Sequence, residues 1–345
     1  MQYYVDILSF MAITLLLLLG GILLKKGNHR QHFMPCALFC FSVASYLLVT
    51  WGDLPKGIYY LLHLPTFAVS FFFWIFSRSI FNDNFKFEKW MGWTLFAVIS
   101  VLYGNFFFRE QLDIDSTIYK ISILIHHIPT IIFTYLAIFE ASKNKNEDLL
   151  VDRLQFRNIF ILLTGVIITM VVFIEIAFVY EPPMIINLLQ KLAIVILAFY
   201  FALQELSLKS GFFNEPELAT TSNTTSKPEI DKALINELLQ VVEGQHYYRT
   251  EGLTISGLAD KLKVKEYKLR QAINQQLGFR NFNDFLNSYR IQEACEQLID
   301  PKKKEFTVLE IAFELGYNSL APFNKAFKNN TGMTPTEYKK LNGGK

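Results

Sequence analysis

Seven long apolar runs occupy the first 206 residues of the chain, and short polar stretches separate them. The runs cover approximately residues 4–24, 33–51, 58–77, 90–108, 117–139, 157–180 and 183–206. Each is close to the ~20 residues that an α-helix needs to cross a bilayer. The pattern predicts a seven-helix transmembrane bundle in residues 1–208. The division between the last two helices rests on Glu181-Pro182-Pro183.

The apolar pattern stops after this bundle. Residues 209–229 are rich in Ser, Thr, Asn and Pro, and this composition predicts a flexible linker. From Ile230 the helical period returns in soluble form, beginning with a helix that ends near Gln245. The sequence therefore predicts an all-α protein with a transmembrane domain (1–208), a linker (209–229) and a soluble domain (230–345).

The soluble domain contains two related segments. Apolar positions in the first recur in the second, which has one extra residue in its turn, and a helix from about Asn283 to Leu298 joins the two. The matching positions are Leu258-Ala259 with Ile311-Ala312, Leu262 with Leu315, Val264 with Tyr317, Leu269 with Phe323, and Ile273 with Phe327. This internal duplication predicts two helix-turn-helix units.

The second segment shows the local signals most clearly. A helix from Val308 to Leu315 is followed by Gly316, which adopts positive φ at no steric cost. Ser319 is a candidate N-cap for the next helix, and Pro322 lies in its first turn, where a missing N–H is harmless. In the first segment Lys263 occupies the corresponding turn position. A positive φ is less favourable for lysine than for glycine, so this turn is less well suited to that conformation.

Val308 to Tyr338 resembles the C-terminal signature of AraC/XylS-type transcription regulators. The signature reads I-A-x-x-x-G-Y, S-x-x-x-F-x-x-x-F-K and G-x-T-P-x-x-Y, and it corresponds here to Ile311–Tyr317, Ser319–Lys328 and Gly332–Tyr338. The resemblance covers roughly residues 230–340. It implies a bacterial, sequence-specific DNA-binding domain in which the second helix of each pair enters the major groove of double-stranded DNA.

The candidate DNA-reading side chains differ between the two segments. In the first they are Tyr267, Lys268, Arg270 and Gln271, and the resemblance also favours Tyr267, Arg270 and Gln271. Arginine can bind guanine and glutamine can bind adenine through paired hydrogen bonds. In the second segment the candidates are Ser319, Leu320, Ala321, Asn324, Lys325 and Lys328, with Asn330 and Thr331 as further phosphate contacts.

The second set offers few groups that distinguish bases, so we expect it to position the domain while the first set selects the sequence. Two recognition helices on one chain are expected to meet successive major grooves about 34 Å apart. A homodimer is a possible extension of this arrangement. Residues 230–345 contain 17 Lys and Arg against 14 Asp and Glu, a modest excess that predicts weak non-specific binding.

Loop charge predicts the orientation of the bundle. The first, third and fifth loops and their helix ends contain ten basic residues, whereas the second, fourth and sixth contain three. Positive loops face the cytoplasm, so we expect the N-terminus outside and the DNA-binding domain inside a bacterial inner membrane that the chain crosses several times. The first run lacks the basic start and the small-residue cleavage site of a signal peptide.

Composition agrees with a membrane protein, because 52% of the residues are hydrophobic and 19% are charged. The three cysteines, Cys36, Cys40 and Cys295, have no spacing typical of a disulfide framework or a zinc site. We therefore expect no metal, no cofactor and no catalytic residue.

Five ionisable residues lie inside the predicted membrane helices, where such groups are costly and often functional. They are His63, His126, His127, Glu175 and Lys191. Their depths place Glu175 and Lys191 within reach of each other and suggest an outward-facing polar cavity that receives an unknown signal ligand. A purely structural ion pair with interfacial histidines is the alternative.

Three functions remain open. The first is a membrane-bound transcription regulator that couples a signal at the membrane to gene expression. The second is an intramembrane transporter or enzyme with a regulatory DNA-binding tail, and the third is a passive anchor for the DNA-binding domain. The sequence shows no paired carboxylates and no H-E-x-x-H motif that would favour the second, so an enzyme is not expected.

Overall fold

The computed structural model describes residues 2–26, 33–51, 54–83, 85–113, 116–178, 183–206, 232–303 and 305–342. In these ranges the regular structure is helical, apart from one isolated antiparallel bridge between Asp148 and Asn281. The chain divides into two compact units. The N-terminal unit comprises Met1–Lys143 and Arg157–Lys209. The C-terminal unit comprises Ser210–Lys345 and, unexpectedly, Asn144–Phe156, which we call the inserted segment.

Eight helices account for the first part of the chain. They are α1 (Gln2–Lys26), α2 (Phe33–Trp51), α3 (Lys56–Phe67), α4 (Val69–Phe81), α5 (Lys89–Arg109), α6 (Thr117–Ser142), α7 (Val151–Phe178) and α8 (Met184–Leu206). Helix α1 packs along α2 and α8, and α4 packs along α6. Helix α7 begins inside the inserted segment and continues into the N-terminal unit.

Six helical stretches are long and apolar enough to cross a membrane. They are Gln2–Lys25, Phe33–Trp51, Lys56–Phe81, Lys89–Arg109, Thr117–Glu147 and Arg153–Phe178. Met184–Tyr200 is a shorter apolar helix, so the described residues contain six candidates of full length and the predicted count of seven is not confirmed. The predicted break at residues 181–182 and the predicted linker 209–229 lie outside the described residues.

The third apolar run forms two helices rather than one. Its backbone is interrupted at Ala68, whose N–H bonds the carbonyl of Pro65 at 3.1 Å. A proline inside a helix removes one donor and crowds the preceding turn, which explains a break at this point. Large apolar side chains such as Trp93, Leu18 and Phe173 are more than half exposed along the helices, as expected of surfaces that face lipid.

Arg157 joins three helices of the N-terminal unit. Its guanidinium donates hydrogen bonds to the carbonyls of Ala141 (3.1 Å), Lys143 (2.8 Å) and Phe81 (3.2 Å), at the C-terminal ends of α6 and α4. These carbonyls have no partner within their own helices, and a cation satisfies them. Arg157 and Arg153 are two of the ten basic residues from which the orientation is predicted, and both side chains are buried.

The C-terminal unit is a set of short helices. They are α9 (Lys232–Leu239), continued by a π-helical turn at Gln240–Gly244, α10 (Ile255–Lys261), α11 (Glu266–Leu277), α12 (Phe282–Ile299), α13 (Val308–Glu314), α14 (Leu320–Thr331) and α15 (Pro335–Asn342). Helices α10 and α11 form the first helix pair, α13 and α14 form the second, and α12 joins them. The pairs are the predicted helix-turn-helix units.

Each helix pair has its own apolar core. Leu258, Leu269 and Ile273 are buried in the first, and Ile311, Phe323 and Phe327 occupy the same positions in the second. The turns contain four and five residues, as the sequence predicts. Each turn contains one residue in the left-handed conformation. It is Lys263, with φ 53°, in the first turn and Gly316, with φ 82°, in the second.

Arg290 of α12 connects the two helix pairs. Its guanidinium donates to the carbonyls of Tyr248 (2.7 Å) and Thr250 (2.9 Å), which precede the first pair, and lies over the Tyr317 ring at 5.1 Å in the second. The Gly316 backbone fills the remaining space, since a Cβ there would lie 2.3 Å from the carbonyl oxygen of Arg249. This junction fixes the orientation of one pair relative to the other.

Candidate nucleic-acid interface and membrane cavity

The first recognition helix, α11, separates its side chains into two faces. Leu269, Ala272 and Ile273 are buried against the core. Tyr267 is 50% exposed, Lys268 is exposed and Gln271 is half-buried. Tyr267 and Lys268 therefore lie in solvent near the N-terminal end of the helix, which is the end that helix-turn-helix proteins in general place against base edges.

Arg270 is placed differently from its neighbours. It is only 6% exposed, and its guanidinium donates to the carbonyls of Asn146 (2.7 Å) and Asp148 and to the Glu266 carboxylate, 2.9 Å from Nε. In this arrangement the guanidinium is bonded within the C-terminal unit and does not face solvent. A short segment from between α6 and α7 covers the position that the sequence assigned to guanine recognition.

The inserted segment is anchored to the first helix pair at several points. Leu149 is 1% exposed and belongs to the core of that pair, and its N–H donates to the carbonyl of Arg280 at 3.0 Å. Asp148 accepts from the Leu150 N–H (3.0 Å) and from Arg153 Nε (2.6 Å), which holds the start of α7. The segment thus contributes both backbone and core contacts.

The second recognition helix, α14, carries fewer polar groups. Ser319, Ala321, Lys325 and Lys328 are exposed, whereas Leu320 and Asn324 are half-buried. Ser319 is the N-cap residue, as predicted, with extended backbone and without a side-chain capping hydrogen bond. The exposed lysines give this helix a positive face suited to phosphate contacts.

The further phosphate candidates of the second pair bond their own helix. Asn330 Nδ2 donates to the Ala326 carbonyl at 2.9 Å, and the Thr331 hydroxyl donates to the Phe327 carbonyl at 2.8 Å. These contacts occupy one donor each at the C-terminal end of α14. Lys328 is accordingly the better placed of the three for phosphate binding.

A partly exposed ionic network joins α12 to the residues that precede the first helix pair. Glu293 of α12 accepts hydrogen bonds from Tyr248 (2.8 Å) and from Arg249 Nε (2.8 Å). Burial raises the pKa of the Glu293 carboxyl, but hydrogen bonds from Arg249, Tyr248 and Gln297 lower it, so the net pKa lies below its ordinary value. Burial and the bond to Glu293 raise the pKa of Tyr248 to about 12.

The N-terminal unit encloses a cavity of about 580 Å³. Helices α1 to α8 all contribute to its lining, which is mostly apolar. Most of its polar lining residues lie near the C-terminal ends of α2 and α5, in α3 up to His63 and in the middle of α6, and Thr66 and Ser70 lie outside this group. The group includes Tyr46, Thr50, Tyr59, His63, Arg109, His126, His127 and Thr130.

Three of the predicted sensor residues meet in this lining. The His63 ring lies 4.5 Å from the Phe106 ring, and its Nδ1 is 2.8 Å from the Tyr59 carbonyl oxygen. The His126 ring lies 5.3 Å from Phe67 and 5.5 Å from His127. The structure therefore brings the three histidines, predicted on two different helices, to one end of a single cavity.

Lys191 lies beside the same cavity. It is 3% exposed, donates to the Thr50 hydroxyl at 3.0 Å and lies over the Tyr46 ring at 5.7 Å. The predicted partner Glu175 is in α7, but its side chain lies outside the described residues. Cys36 and Cys40 are buried in the cavity lining.

Residues 258–341 match a family described as a helix-turn-helix domain. The C-terminal region of this chain carries an AraC-type helix-turn-helix domain. The match covers both helix pairs and α12 but begins inside α10. It confirms the resemblance inferred from the sequence motifs.

Known relatives share this region. The probable transcription factor PqrA of Proteus vulgaris is 26% identical over 106 residues, which are 31% of this chain and 83% of that protein. An uncharacterized HTH-type transcriptional regulator of Staphylococcus aureus (strain COL) is 30% identical over 105 residues, or 30% of this chain and 13% of that protein.

An uncharacterized response regulatory protein of Staphylococcus epidermidis is 29% identical over 115 residues, covering 33% of this chain and 43% of that protein. The chain thus spans less than half the length of each of these two staphylococcal relatives. No solved structure matches. The relatives support a DNA-binding regulator and leave the role of residues 1–231 to physical argument.

Sequence reasoning did not identify Arg109, Tyr59 or the inserted segment as parts of these sites. Arg109 lies at the end of an apolar run and was counted only as a loop charge. The inserted segment is short and has no helical period before Val151. The sequence Asp148-Leu149-Leu150 could have indicated the inserted segment, because two leucines interrupt an otherwise polar loop there.

Proposed function

We propose that this protein is a membrane-bound, sequence-specific DNA-binding transcriptional regulator that couples a signal at the membrane to gene expression. One observation carries the proposal: an AraC-type helix-turn-helix domain follows six helices that are long and apolar enough to cross a membrane, in the same chain. Transcription regulation by a domain of this kind needs no catalytic residue.

In this proposal seven helices cross the inner membrane, the N-terminus is outside and the C-terminal unit is in the cytoplasm. The excess of basic residues in alternate loops supports the orientation. The test is a set of fusions at Lys143, at residue 112 and at the C-terminus to a phosphatase active only outside the cytoplasm. Activity at residue 112 alone supports the topology; activity at the C-terminus would refute it.

The DNA contacts in this proposal are made by Tyr267, Lys268 and Gln271 of α11 and by Ser319, Lys325 and Lys328 of α14, with apolar contact from Leu320 and Ala321 and polar contact from Asn324. Arg270 joins them when it is free of the inserted segment. One chain spans successive major grooves, and a homodimer would double the site.

DNA binding is tested with the full chain in lipid nanodiscs and a library of random duplexes. We expect enrichment of a two-block sequence and an affinity that falls as salt rises. Lys325→Glu should weaken binding to all sequences, whereas Tyr267→Ala should also relax sequence preference. Lys261→Glu, on a different exposed surface, is the control. Failure to enrich any sequence would refute the proposal.

A passive anchor is the main competitor, because it needs the same helices and the same DNA-binding domain. The two differ in whether changes in the N-terminal unit alter DNA occupancy. We expect substitutions in the cavity lining, such as His127→Phe, to change occupancy in cells at unchanged membrane levels. Unchanged occupancy for every lining variant would leave the anchor as the function.

A further inference from the structure

The cavity of the N-terminal unit extends along most of α2. Along α2 its lining residues run from Cys36 to Thr50, which corresponds to about 21 Å of helix. Its volume of 580 Å³ lies within the range of small-molecule sites, about 300–1,000 Å³. These dimensions fit one extended chain better than a compact, disc-shaped ligand.

The two ends of the cavity differ in chemistry. Near Thr50 the lining includes Arg109, Tyr59 and the three histidines described above, whereas near Cys36 it is formed by Leu19, Phe39 and Phe76. A guanidinium is always charged and presents parallel N–H donors that match a carboxylate. The ligand that complements both ends has an anionic head and a long apolar tail.

We propose that this cavity binds a long-chain carboxylic acid, with its carboxylate at Arg109 and its chain along α2 toward Phe76. The inference rests on the proposed function, in which such a ligand is the signal. The orientation proposed above places the carboxylate near the outer surface and the chain end in the cytoplasmic half. The polar end is then the end from which an external ligand enters.

The test uses the full chain in nanodiscs of zwitterionic lipid, with hexadecanoic acid as the probe and hexadecanol as the neutral control. We expect the acid to bind at least about tenfold more tightly than the alcohol, which corresponds to about 1.4 kcal/mol. Equal affinity for acid and alcohol would overturn the proposal. Tighter binding of lysophosphatidylglycerol than of the acid would also overturn it and assign the site to a membrane lipid.

Two variants locate the site. Arg109→Gln should lose most of the preference for the acid while it keeps the affinity for the alcohol, and Ala198→Phe should fill the cavity and weaken both. Arg78→Gln is the matched control, because Arg78 contacts Trp74 and Trp90 outside the lining. Thermal unfolding of each variant shows whether it is folded. Unchanged acid preference in a folded Arg109→Gln protein would refute the assignment.

Ligand binding is measured without DNA, and DNA binding without ligand. A chain that binds the acid but enriches no duplex would refute the proposed function and leave the ligand site intact. A chain that binds DNA but not the acid would refute the ligand site alone.

A second inference rests on a different observation, the burial of Arg270. The inserted segment supplies two carbonyl acceptors to this guanidinium, and Leu149 of the same segment completes the core of the first helix pair. A buried charged group is strongly disfavoured without such acceptors. Guanine and phosphate oxygens are equivalent acceptors for arginine on DNA.

We infer that DNA and the inserted segment compete for Arg270, so that the docked segment is an off state of the DNA-binding domain. Helix α7 begins at Val151 within this segment. A displacement of α7 therefore pulls directly on the residues that hold Arg270. This gives a route from the membrane helices to the recognition helix that runs along the chain only as far as the inserted segment and then through hydrogen bonds and core contacts, not through residues 209–229.

A reversible disulfide tests the competition. Asp148 and Asn281 face each other in an antiparallel bridge, an arrangement in which paired Cα atoms lie about 4.5–5.5 Å apart and a disulfide can form. In a Cys295→Ser background, oxidised Asp148→Cys/Asn281→Cys protein should bind DNA at least about tenfold more weakly than the same protein after reduction. Equal affinity in the two forms, or failure of the disulfide to form without DNA, would overturn the inference.

A second pair of variants releases the segment instead. Leu149→Asp places a charge in the core and should undock the segment, which raises DNA affinity. Leu150→Asp, at the neighbouring half-buried position, is the control and should have little effect. Amide hydrogen exchange in α11 shows whether the helix pair is intact. Weaker DNA binding by a Leu149→Asp protein with a protected α11 would contradict the competition.

Discussion

The guanidinium of Arg270 donates a hydrogen bond to the carbonyl oxygen of Asn146, 2.7 Å away and 124 residues earlier in the chain. This contact makes a residue of α11 part of the support for the loop between α6 and α7. Arg270 therefore has a structural role in the described state, whatever contact it makes with DNA.

Replacing Arg270 with alanine should destabilise the C-terminal unit. The substitution leaves two carbonyls of the inserted segment without their donor, and buried hydrogen bonds to charged groups contribute about 1.5–3 kcal/mol each. Denaturant unfolding of the full chain, followed by hydrogen exchange in α11, measures the effect. Tyr267→Ala is the control, since its exposed side chain predicts a change within about 0.5 kcal/mol. Equal effects of the two substitutions would contradict the burial of Arg270.

Gly316→Ala should disrupt the junction between the helix pairs. A Cβ at Gly316 would lie 2.3 Å from a backbone oxygen, which is not a flexible group, and φ is 82°. We expect a loss of more than about 3 kcal/mol, beyond the ~1 kcal/mol that a left-handed alanine costs. Gly278→Ala provides the matched control, because Gly278 has φ 76° with no atom within 4 Å of its Cβ position. Similar losses at both sites would show that Gly316 is not tightly packed.

Lys263→Gly should stabilise the first helix pair. Lys263 has φ 53°, a conformation that costs a residue with a side chain about 1–2 kcal/mol and costs glycine little. The greater freedom of glycine in the unfolded chain offsets part of this gain, so we expect at most about 1 kcal/mol. Lys261→Gly is the control. Because Lys261 lies within α10, this substitution should destabilise the first helix pair by about 1 kcal/mol. The urea midpoint of each variant decides between a gain and a loss.

Acid should weaken the packing of α12 against residues 247–249 through Glu293. Its folded pKa lies below its ordinary value, so the unfolded state binds more protons in acid. The stabilisation is present above the unfolded pKa, about 4.3, and is lost as the pH falls through the folded pKa. Glu293→Gln should make stability less dependent on pH between 5 and 3, whereas exposed Glu296→Gln should leave the dependence unchanged. The same acid slope in both variants would exclude Glu293 as its source.

The sequence predicted the elements of the C-terminal unit well. The helix predicted over Asn283 to Leu298 extends one residue further at each end, and Gly316 has the positive φ that its turn position required. These predictions succeed because helical periodicity and glycine conformation are local properties. The duplicated apolar positions were likewise sufficient to predict two helix-turn-helix units.

Contacts between distant segments were not predictable in the same way. Periodicity places Arg270 on the outward face of α11, but it contains no information about a loop that covers that face. The sequence indicates Arg157 and Arg109 only as basic residues at helix ends. In the structure, Arg157 donates hydrogen bonds to carbonyls of two other helices, and Arg109 lines the cavity. Such roles depend on tertiary neighbours, which a single sequence does not specify.

The burial of Leu149 in the core of the first helix pair determines what cleavage of residues 209–229 would release. A protease that cut residues 209–229 would break the only covalent path from α8 to the DNA-binding helices. The released fragment would still hold Leu149 in its core and the carbonyls of the inserted segment against Arg270. Cleavage alone would therefore yield a nicked complex that stays with the membrane helices, and liberation of the fragment would require undocking as a separate step.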